Sequence, residues 1–255
     1  MLADGRPPLV TVSVVVHRQW SLVRPLLEQL DRWCPGVVNR IVLTVNLPEP
    51  GISTEGIGLP VVRIDNSQPL GFGANHNQAF RHCRTPWFLV LNPDIRLDVD
   101  AVSALLALAA DDTGLLAPRV HEPGKAEAEP YRTLPTPAEL LRRRLPGHRP
   151  PAAPDWVAGM FMLLRRDAFE AVQGFDERYY MYCEDVDLCA RLRLAGWQVR
   201  SIPSVVVRHE AQRASQSSLR PLVWHVASLA RLWSSLAFWR YAALLRRVEN
   251  RNAAL

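Results

Sequence analysis

The chain has 255 residues, of which 48% are hydrophobic, so it can form one large α/β domain with an appendage but not a second full domain. Its formal net charge of +5 comes almost wholly from arginine, because Lys125 is the only lysine. This positive excess is too small and too scattered for a nucleic-acid-binding surface, and nucleic acid is therefore excluded as a partner.

The N-terminal stretch and the cysteines both indicate the cellular compartment. Residues 1–8 lack the apolar core of a signal peptide, so a cytoplasmic location is expected. The cysteines have no paired metal-ligand spacing and are predicted to be reduced, buried thiols. They are Cys34, Cys83, Cys183 and Cys189.

Strands and helices alternate over the first hundred residues. Residues 9–16 form a mainly β-branched run, which is typical of a strand buried on both faces, and residues 22–33 follow with helical spacing. Further strands are predicted at 41–45, 61–64 and 87–91, with a helix at 75–83. This alternation predicts a mostly parallel sheet, and ligands bind such sheets at the carboxyl ends of the strands.

Polar residues follow each of the four strands. They are His17, Asn46, Asp65-Asn66 and Asn92-Pro93-Asp94. Each alone is an ordinary turn former, but together they indicate a binding site. A carboxylate at an open strand end, here Asp94, also suits a hard divalent cation. The alternative is that Asp94 caps a helix predicted at 102–109.

Residues 118–154 are rich in proline and arginine, with only a weak helical pattern at 137–145. We interpret this stretch as a loop region rather than a domain boundary. It either lies over the active site or is a disordered insertion. An apolar stretch at 156–166 then predicts another strand.

The segment 174–197 begins as an aromatic loop and continues as a helix. Glu184, Asp185 and Asp187 lie in the first turn, where the helix dipole favours negative charge. At about 100° per residue, Asp185 falls within an apolar arc, away from the side that carries Asp187 and Arg191. A carboxylate on that face must be paired or face a cleft, which makes Asp185 a candidate general base. The alternative is that Glu184 and Asp185 only cap the helix.

The last predicted strand covers residues 199–207 and is broken by Pro203. It ends at Arg208-His209-Glu210. A histidine after a strand is most often a structural residue, although a neutral imidazole is also a competent metal ligand.

The C-terminal stretch from Leu219 to Arg247 has the spacing of one amphipathic helix. Its apolar face is predicted to contain Leu222, Val226, Leu229, Trp233 and Leu236, and its other face His225, Ser228 and Arg231. Arg231 would cost a membrane-spanning helix about 2.5–3.5 kcal/mol. The helix therefore either lies flat on a membrane or packs on the catalytic domain or a second copy of the chain. On a membrane, the headgroup-level residues would be Trp224, Trp233 and Trp239.

The segment 174–197 resembles the Gly-Phe-Asp-Glu…Glu-Asp-x-Asp-Leu…Gly-Trp block of inverting family 2 glycosyltransferases, especially their bacterial rhamnosyltransferase branch. The resemblance extends from residue 9 to about residue 240. It implies an α/β fold of the GT-A type, with a mostly parallel, Rossmann-like sheet flanked by helices and a C-terminal helical tail. The expected division is a catalytic domain, 1–215, and an amphipathic helical region, 216–255. The second carboxylate of the Glu-Asp pair is the family's base, which implies this role for Asp185 beside Glu184.

The run Leu91-Asn92-Pro93-Asp94 resembles a variant of the family's Asp-x-Asp motif, with Asn92 in place of the first Asp. The resemblance implies that Asp94 and His209 hold Mg²⁺ or Mn²⁺. It also implies a donor-binding set that comprises His17, Asn46, Asn66, Gly71, Phe72, Gly73, Asn77, Asn92 and Asp94. In the family, the position of Asn46 is normally Asp. The acceptor side is implied to contain Trp156, Gly159 and Met160.

The expected function is inverting transfer of rhamnose from dTDP-rhamnose to a glycan or a polyprenyl-diphosphate-linked acceptor. Asn46 and Asn92 in place of acids leave one alternative open, a catalytically silent nucleotide- or sugar-binding module of the same fold. A nucleotidyltransferase would need a glycine-rich phosphate loop with a lysine near the N-terminus, and the sequence has none.

Overall fold

The computed structural model describes residues 9–125, 128–210 and 220–253. Over these residues the chain forms one eight-stranded sheet with helices on both faces. The strands are β1 (Val10–His17), β2 (Val38–Leu47), β3 (Val61–Asp65), β4 (Trp87–Leu91), β5 (Ile95–Arg96), β6 (Thr113–His121), β7 (Phe161–Arg165) and β8 (Gln198–His209). The helices are α1 (Trp20–Trp33), α2 (Phe72–Phe80), α3 (Ala101–Leu106), α4 (Pro137–Arg142), α5 (Arg166–Ala171), α6 (Glu184–Leu194), α7 (Arg220–Ser234) and α8 (Leu236–Ala253).

The strands lie in the order β3-β2-β1-β4-β7-β6-β8-β5. The predicted parallel arrangement is confirmed for the first four, since β1 pairs in parallel with both β2 and β4, and β2 with β3. Strand β7 is antiparallel to β4, with Phe161 opposite Leu91. The start of β7 is thereby placed at the carboxyl end of β4, where ligands bind in sheets of this kind.

The sheet has a hydrophobic core on each face. One core packs beneath α1 and α3, and the other beneath α2, α5 and α6 together with the C-terminal helices. The β-branched residues of β1 are almost all fully buried, as the continuous apolar pattern predicted. All four cysteines are buried and free, which confirms that prediction.

Several elements differ from the sequence prediction. Helix α2 begins at Phe72, so the glycine run is its first turn rather than a preceding loop. Strand β6 continues to His121, inside the stretch predicted to be loop. Strand β8 is not broken by Pro203, because a register shift in the β6–β8 pairing between Pro118 and Arg119 accommodates the irregularity.

The C-terminal region is two helices rather than the single helix that was predicted. Helix α7 ends at Ser234 and α8 begins at Leu236, with the hydroxyl of Ser235 accepting from the Phe238 amide at 3.4 Å. Ser228 was expected on the exposed face but is buried, and its hydroxyl donates to the Met181 carbonyl at 2.8 Å. Residue 219 and the expected boundary at 215/216 lie outside the described residues.

Further hydrogen bonds hold α7 and α8 against the rest of the chain. Trp233 Nε1 donates to the Pro135 carbonyl at 2.9 Å, and the Tyr241 hydroxyl donates to the Asp155 carbonyl at 2.6 Å. Among the described residues, no helix is both long and apolar enough to span a membrane. The sequence left open whether this region packs on protein or lies on a membrane. In the structure, the inner side of both helices packs on protein.

Candidate functional site

A cavity of about 290 Å³ lies at the carboxyl ends of β1, β2 and β4. Five residues predicted to bind the donor line it: His17, Asn46, Phe72, Asn92 and Asp94. They come from three strand ends and one helix start that are distant in sequence. Their common location follows from the parallel strand order, which brings the ends of neighbouring strands to one edge of the sheet.

The glycines of the first turn of α2 permit close packing of the chain on itself. A Cβ atom at Gly71 would lie 2.6 Å from the Tyr180 carbonyl oxygen, and one at Gly73 would lie 2.6 Å from Phe175 Cβ. The Phe72 amide donates to the Tyr180 carbonyl at 2.9 Å. The glycines thus hold the loop before α6 against α2, and their contact with a donor stays a prediction.

Asn66 and Asn77 do not line the cavity. Asn66 lies below it and donates to the side-chain oxygens of Asn46 and Asn75, at 2.9 and 2.7 Å. Asn77 accepts from the Phe175 amide and donates to the carbonyl of the same residue, at 2.9 and 2.8 Å. Asn66 supports another predicted residue, whereas Asn77 fixes the start of the aromatic loop.

Other residues also line the cavity, among them Asn75, His76, Tyr180, Met181 and Trp224, which the sequence did not indicate as donor-binding. His76 Nδ1 lies 2.8 Å from the Ser13 hydroxyl, and burial lowers its pKa to about 3, so the ring is neutral. Trp224, predicted at membrane headgroups, instead packs on Tyr180 with ring centroids 4.9 Å apart. Helix α7 therefore forms one wall of the cavity. Helical periodicity cannot predict this, because it shows which residues share a face of the helix but not what that face packs against.

The predicted metal ligands are adjacent. The pairing of Ile95 with His209 brings β5 and β8 together, and His209 Nε2 lies 3.0 Å from Asp94 Oδ2. Asp94 Oδ1 and His209 Nδ1 are both buried without a hydrogen-bond partner. The carboxylates of Glu122 and Glu129 lie close to the same histidine. One potential metal-ligand atom from each of these three residues lies within 4.8 Å of the other two. Carboxylate oxygens and an imidazole fit Mg²⁺ or Mn²⁺.

The protonation of His209 follows from these neighbours. Burial alone would lower its pKa, but the hydrogen bond and charge of Asp94, together with Glu129 and Glu122, raise it. The ring therefore tends to carry a proton toward Asp94, and a cation bound there would replace that proton.

Asp185, the predicted base, is linked to the cavity through two consecutive residues. Its Oδ2 accepts from the Gly159 amide at 3.0 Å. The carbonyl of the following residue, Met160, accepts from the Asn92 amide at 2.9 Å. A Cβ atom at Gly159 would lie 3.0 Å from the Phe72 ring. Burial raises the pKa of Asp185, with the Gly159 hydrogen bond opposing, so it is more basic than an ordinary carboxylate.

The backbone before α6 is strained. Tyr182 and Cys183 both have left-handed conformations, with φ of 73° and 66°, although neither is glycine. Two such residues in succession persist only where the surrounding structure holds them, and such strain is concentrated at functional sites. This turn directs Glu184 and Asp185 as the chain enters the helix.

The side of α6 that carries Asp187 and Arg191 is largely buried. Asp187 is buried, and Arg191 Nε donates to its Oδ2 at 2.7 Å. Arg191 Nη1 also donates to the carbonyls of Val172 and Gly174. The pair therefore ties α6 to the start of the aromatic loop. The sequence alone does not distinguish such a buried ion pair from an exposed one, because the same two residue types are four positions apart in both.

Glu184 gives a testable pH dependence. Burial, and secondarily the charge of Asp185, raise its pKa to about 8, and its Oε2 has no partner. In the unfolded chain a glutamate titrates near 4.3, so between about pH 4.5 and 8 the folded protein holds a proton that the unfolded chain has released. Stability is therefore lost as pH rises through this range, by up to about 1.4 kcal/mol per pH unit.

We expect Glu184→Gln to flatten this slope, so that the variant gains stability relative to wild type between pH 5 and pH 8. Denaturant unfolding at both pH values measures the difference. The exposed Glu55→Gln serves as the matched control and should keep the wild-type slope. An unchanged slope in Glu184→Gln would show that Glu184 ionises normally in the folded protein.

The residues predicted on the acceptor side occupy two places. Gly159 lies between Asp185 and the ring of Phe72, which lines the main cavity. Trp156 and Met160 line a separate small cavity of about 50 Å³. Trp156 is held there by Nε1 donation to the Thr133 carbonyl at 2.9 Å and by the Arg132 guanidinium over its ring. Of the three, Gly159 is the one in direct contact with Asp185.

Solved structures with the same fold bind nucleotide sugars. The mannosyltransferase PcManGT from Pyrobaculum calidifontis, in complex with GDP-Man and Mn²⁺, superposes with a TM-score of 0.62 at 14% identity, over 98% of this chain and 77% of that chain. GalNAc-T7, with UDP, GalNAc and Mn²⁺, gives 0.63 at 15% identity, over 82% and 44%. At this identity the likeness shows the fold alone, which is the predicted GT-A type.

Curated relatives are more similar in sequence. The rhamnosyltransferase WbbL of Escherichia coli K12 is 41% identical over 99 residues, which is 38% of this chain and 34% of that protein. The N-acetylglucosaminyl-diphospho-decaprenol L-rhamnosyltransferase of Mycobacterium tuberculosis is 33% identical over 162 residues, 54% and 52%. The chain thus spans a third to a half of the length of these relatives.

A family model described as "Glycosyltransferase like family 2" matches residues 52–223, which is more than half of the 255 residues. This range includes α2, the Asn92-Asp94 turn, Asp185 and His209, the elements that build the cavity and its surroundings. The chain belongs to glycosyltransferase family 2, in the branch that contains the bacterial rhamnosyltransferases.

Proposed function

We propose that this glycosyltransferase transfers a sugar with inversion, from a nucleotide-sugar donor in the main cavity to an acceptor hydroxyl activated by Asp185. The observation that carries the proposal is the hydrogen-bonded connection from Asp185, which does not line the cavity itself, through Gly159 and Met160 to the Asn92 amide. A base connected in this way to a cavity that is lined by Asp94, a candidate cation ligand, supplies two of the groups that a single displacement needs.

In this reaction, Asp185 takes the proton of the acceptor hydroxyl while its oxygen forms a bond to the anomeric carbon. The bond between that carbon and the nucleotide diphosphate breaks at the same time, with its electrons leaving on the diphosphate. The raised pKa of Asp185 makes it a stronger base than a solvated aspartate, closer to the value that suits catalysis near neutral pH.

Asp94 and His209 would hold Mg²⁺ or Mn²⁺, with Glu122 and Glu129 close to the same histidine. When bound, the cation would neutralise charge on the diphosphate. Trp224 and Tyr180, whose rings pack on each other, line one side of the cavity.

We propose dTDP-rhamnose as the donor, because the curated relatives named above include two rhamnosyltransferases. The test is a panel of nucleotide sugars incubated with the protein and Mg²⁺ or Mn²⁺, in which released nucleotide diphosphate is measured. Release should be fastest from dTDP-rhamnose. Binding of a nucleotide sugar without any release or transfer would support the alternative of a silent binding module.

We further propose that the acceptor is carried on a lipid diphosphate and that the protein works at the cytoplasmic face of the membrane. One relative is named for an N-acetylglucosaminyl-diphospho-decaprenol substrate. The outer side of α7 exposes Leu222 and Val226 at 60% and 58% of their surface. Exposed Arg240 and Arg246 on α8 would add about 1 kcal/mol each near anionic lipid.

Flotation with anionic liposomes tests the membrane contact. We expect the full chain to float at low salt and to be released at high salt, because both apolar burial and lipid charge contribute. The double variant Leu222→Ser/Val226→Ser should float less. The control Val99→Ser/Leu108→Ser changes two exposed apolar residues outside α7 and α8 and should float like wild type. Equal flotation of both variants would remove α7 from the proposal.

A further inference from the structure

A chain of side-chain amides runs beneath the main cavity and ends at His17. Asn75 Nδ2 donates to the carbonyls of Leu70 and Gly71, at 3.1 and 2.9 Å. Backbone carbonyls can only accept, so this amide has one orientation, with its oxygen on the opposite side. That oxygen accepts from Asn66 Nδ2 at 2.7 Å, which fixes the orientation of Asn66 as well.

Asn46 is the next member of the chain. Its Oδ1 accepts from the Leu70 amide at 2.8 Å and from Asn66 Nδ2 at 2.9 Å. Its Nδ2 donates to the Leu70 carbonyl at 3.0 Å and lies 3.0 Å from His17 Nδ1. The backbone amide and carbonyl of Leu70 cannot exchange roles, so the orientation of the Asn46 amide is set by its surroundings. All four of its hydrogen-bonding positions are used.

The consequence is a defined tautomer for His17. Since Asn46 Nδ2 must donate, His17 Nδ1 must accept, and the ring proton of the neutral imidazole is then on Nε2. Burial, and secondarily the nearby charge of Arg18, lower the pKa of His17, which keeps the ring neutral near pH 7. His17 lines the cavity and therefore presents a single N–H donor to it.

The position of His17 relative to Asp94 indicates which part of a nucleotide it meets. Asp94 follows β4, where a cation and the diphosphate would lie, while His17 and Asn46 follow β1 and β2. The same cavity reaches from Asp94 to His17 and Asn46, so a nucleotide whose diphosphate lies near Asp94 has room for its ribose and base toward these two strands. Asn46 has no free hydrogen-bonding group left, which leaves His17 as the side chain of the pair that can read the base.

We propose that His17 Nε2–H donates to a keto oxygen on the outer edge of the nucleobase, and that Asn46 is a positioning residue that sets this donor. The cavity would then favour thymine, uracil or guanine over cytosine or adenine, which carry an amino group at the corresponding place and would oppose donor to donor. The inference rests on the proposed function, because it requires a nucleotide in this cavity.

The first test examines the tautomer in the free protein, by NMR of protein labelled with ¹⁵N-histidine, with the His17 signals assigned by comparison with His17→Gln. Wild type should show Nδ1 without a proton and Nε2 with one. In Asn46→Asp the new carboxylate accepts instead of donating, and Nδ1 should become protonated. A protonated Nδ1 in wild type, or no change in Asn46→Asp, would overturn the inference whether or not the protein is an enzyme.

The second test measures the affinities of dTDP, UDP, GDP, CDP and ADP with Mg²⁺ by calorimetry. We expect dTDP, UDP and GDP to bind about tenfold more tightly than CDP and ADP. In CDP and ADP the amino group of the base would face the His17 N–H, and two donors without an acceptor are costly. In His17→Phe the preference should fall to less than about twofold, and His17→Gln, which keeps an N–H donor, should retain part of it. Equal binding of UDP and CDP to wild type would overturn the base preference. Failure of every nucleotide to bind would instead contradict the proposed function and leave the tautomer result standing.

Discussion

Asp185→Asn is expected to lower kcat about 10²–10⁴-fold while the affinity for the donor changes less than about twofold. The lost carboxylate acts only as the acceptor hydroxyl is deprotonated, so ground-state binding does not depend on it. Asparagine also keeps an oxygen to accept from the Gly159 amide, the 3.0 Å bond that positions this side chain. Steady-state transfer rates and nucleotide titrations of the two proteins provide the comparison.

The neighbouring carboxylates serve as controls for this assignment. Glu184→Gln removes the adjacent acid and should retain much more turnover than Asp185→Asn. Asp98→Asn changes an exposed carboxylate paired with Arg208 and should behave like wild type. Near-normal turnover in Asp185→Asn would move the base to Glu184 or Asp187.

Asp94→Ala is expected to abolish most of the gain in nucleotide affinity that Mg²⁺ or Mn²⁺ provides. Loss of a residue that only supports a metal ligand costs about 10–100-fold in metal affinity, and loss of the ligand itself should cost at least as much. Asp94 Oδ1 is buried without a partner, so an oxygen is already placed for a cation. Calorimetric titration of nucleotide diphosphate with and without metal measures the effect.

The exposed Asp98→Ala is the matched control for this substitution, four residues further along the chain. It should keep the metal-dependent gain in full. If wild type and Asp94→Ala bind the nucleotide with the same affinity, and metal changes neither, then Asp94 holds no cation that matters for the donor.

The sequence predicted the parallel half of the sheet well, because strands buried on both faces have continuous β-branched runs such as residues 10–16. Of the four strand ends predicted to carry site residues, those of β1, β2 and β4 line the cavity and that of β3 does not. Strand direction beyond β4 was not predictable, since β7 has the same apolar pattern whether it is parallel or antiparallel. That direction is what brings the segment just before β7 beside the end of β4, where the Asn92 amide donates to the Met160 carbonyl.

Partners of individual side chains were harder to predict than elements. Asn66 and Asn77 both lie in polar stretches near strand or helix ends, yet one joins the amide chain under His17 and the other binds the Phe175 backbone. Trp224 lies on a helix whose periodicity fits a membrane or a protein surface equally. Only the tertiary packing, with Tyr180 against the indole ring, places it in the cavity wall.

The most direct measurement of the central claim pairs dTDP-rhamnose with a lipid-linked N-acetylglucosaminyl diphosphate and determines the anomeric configuration of the product by NMR. A single displacement with Asp185 as base predicts a new glycosidic bond whose configuration is opposite to that of the donor, formed at least about 100-fold faster by wild type than by Asp185→Asn. A product with the donor's configuration, or transfer by Asp185→Asn at the wild-type rate, would contradict the account.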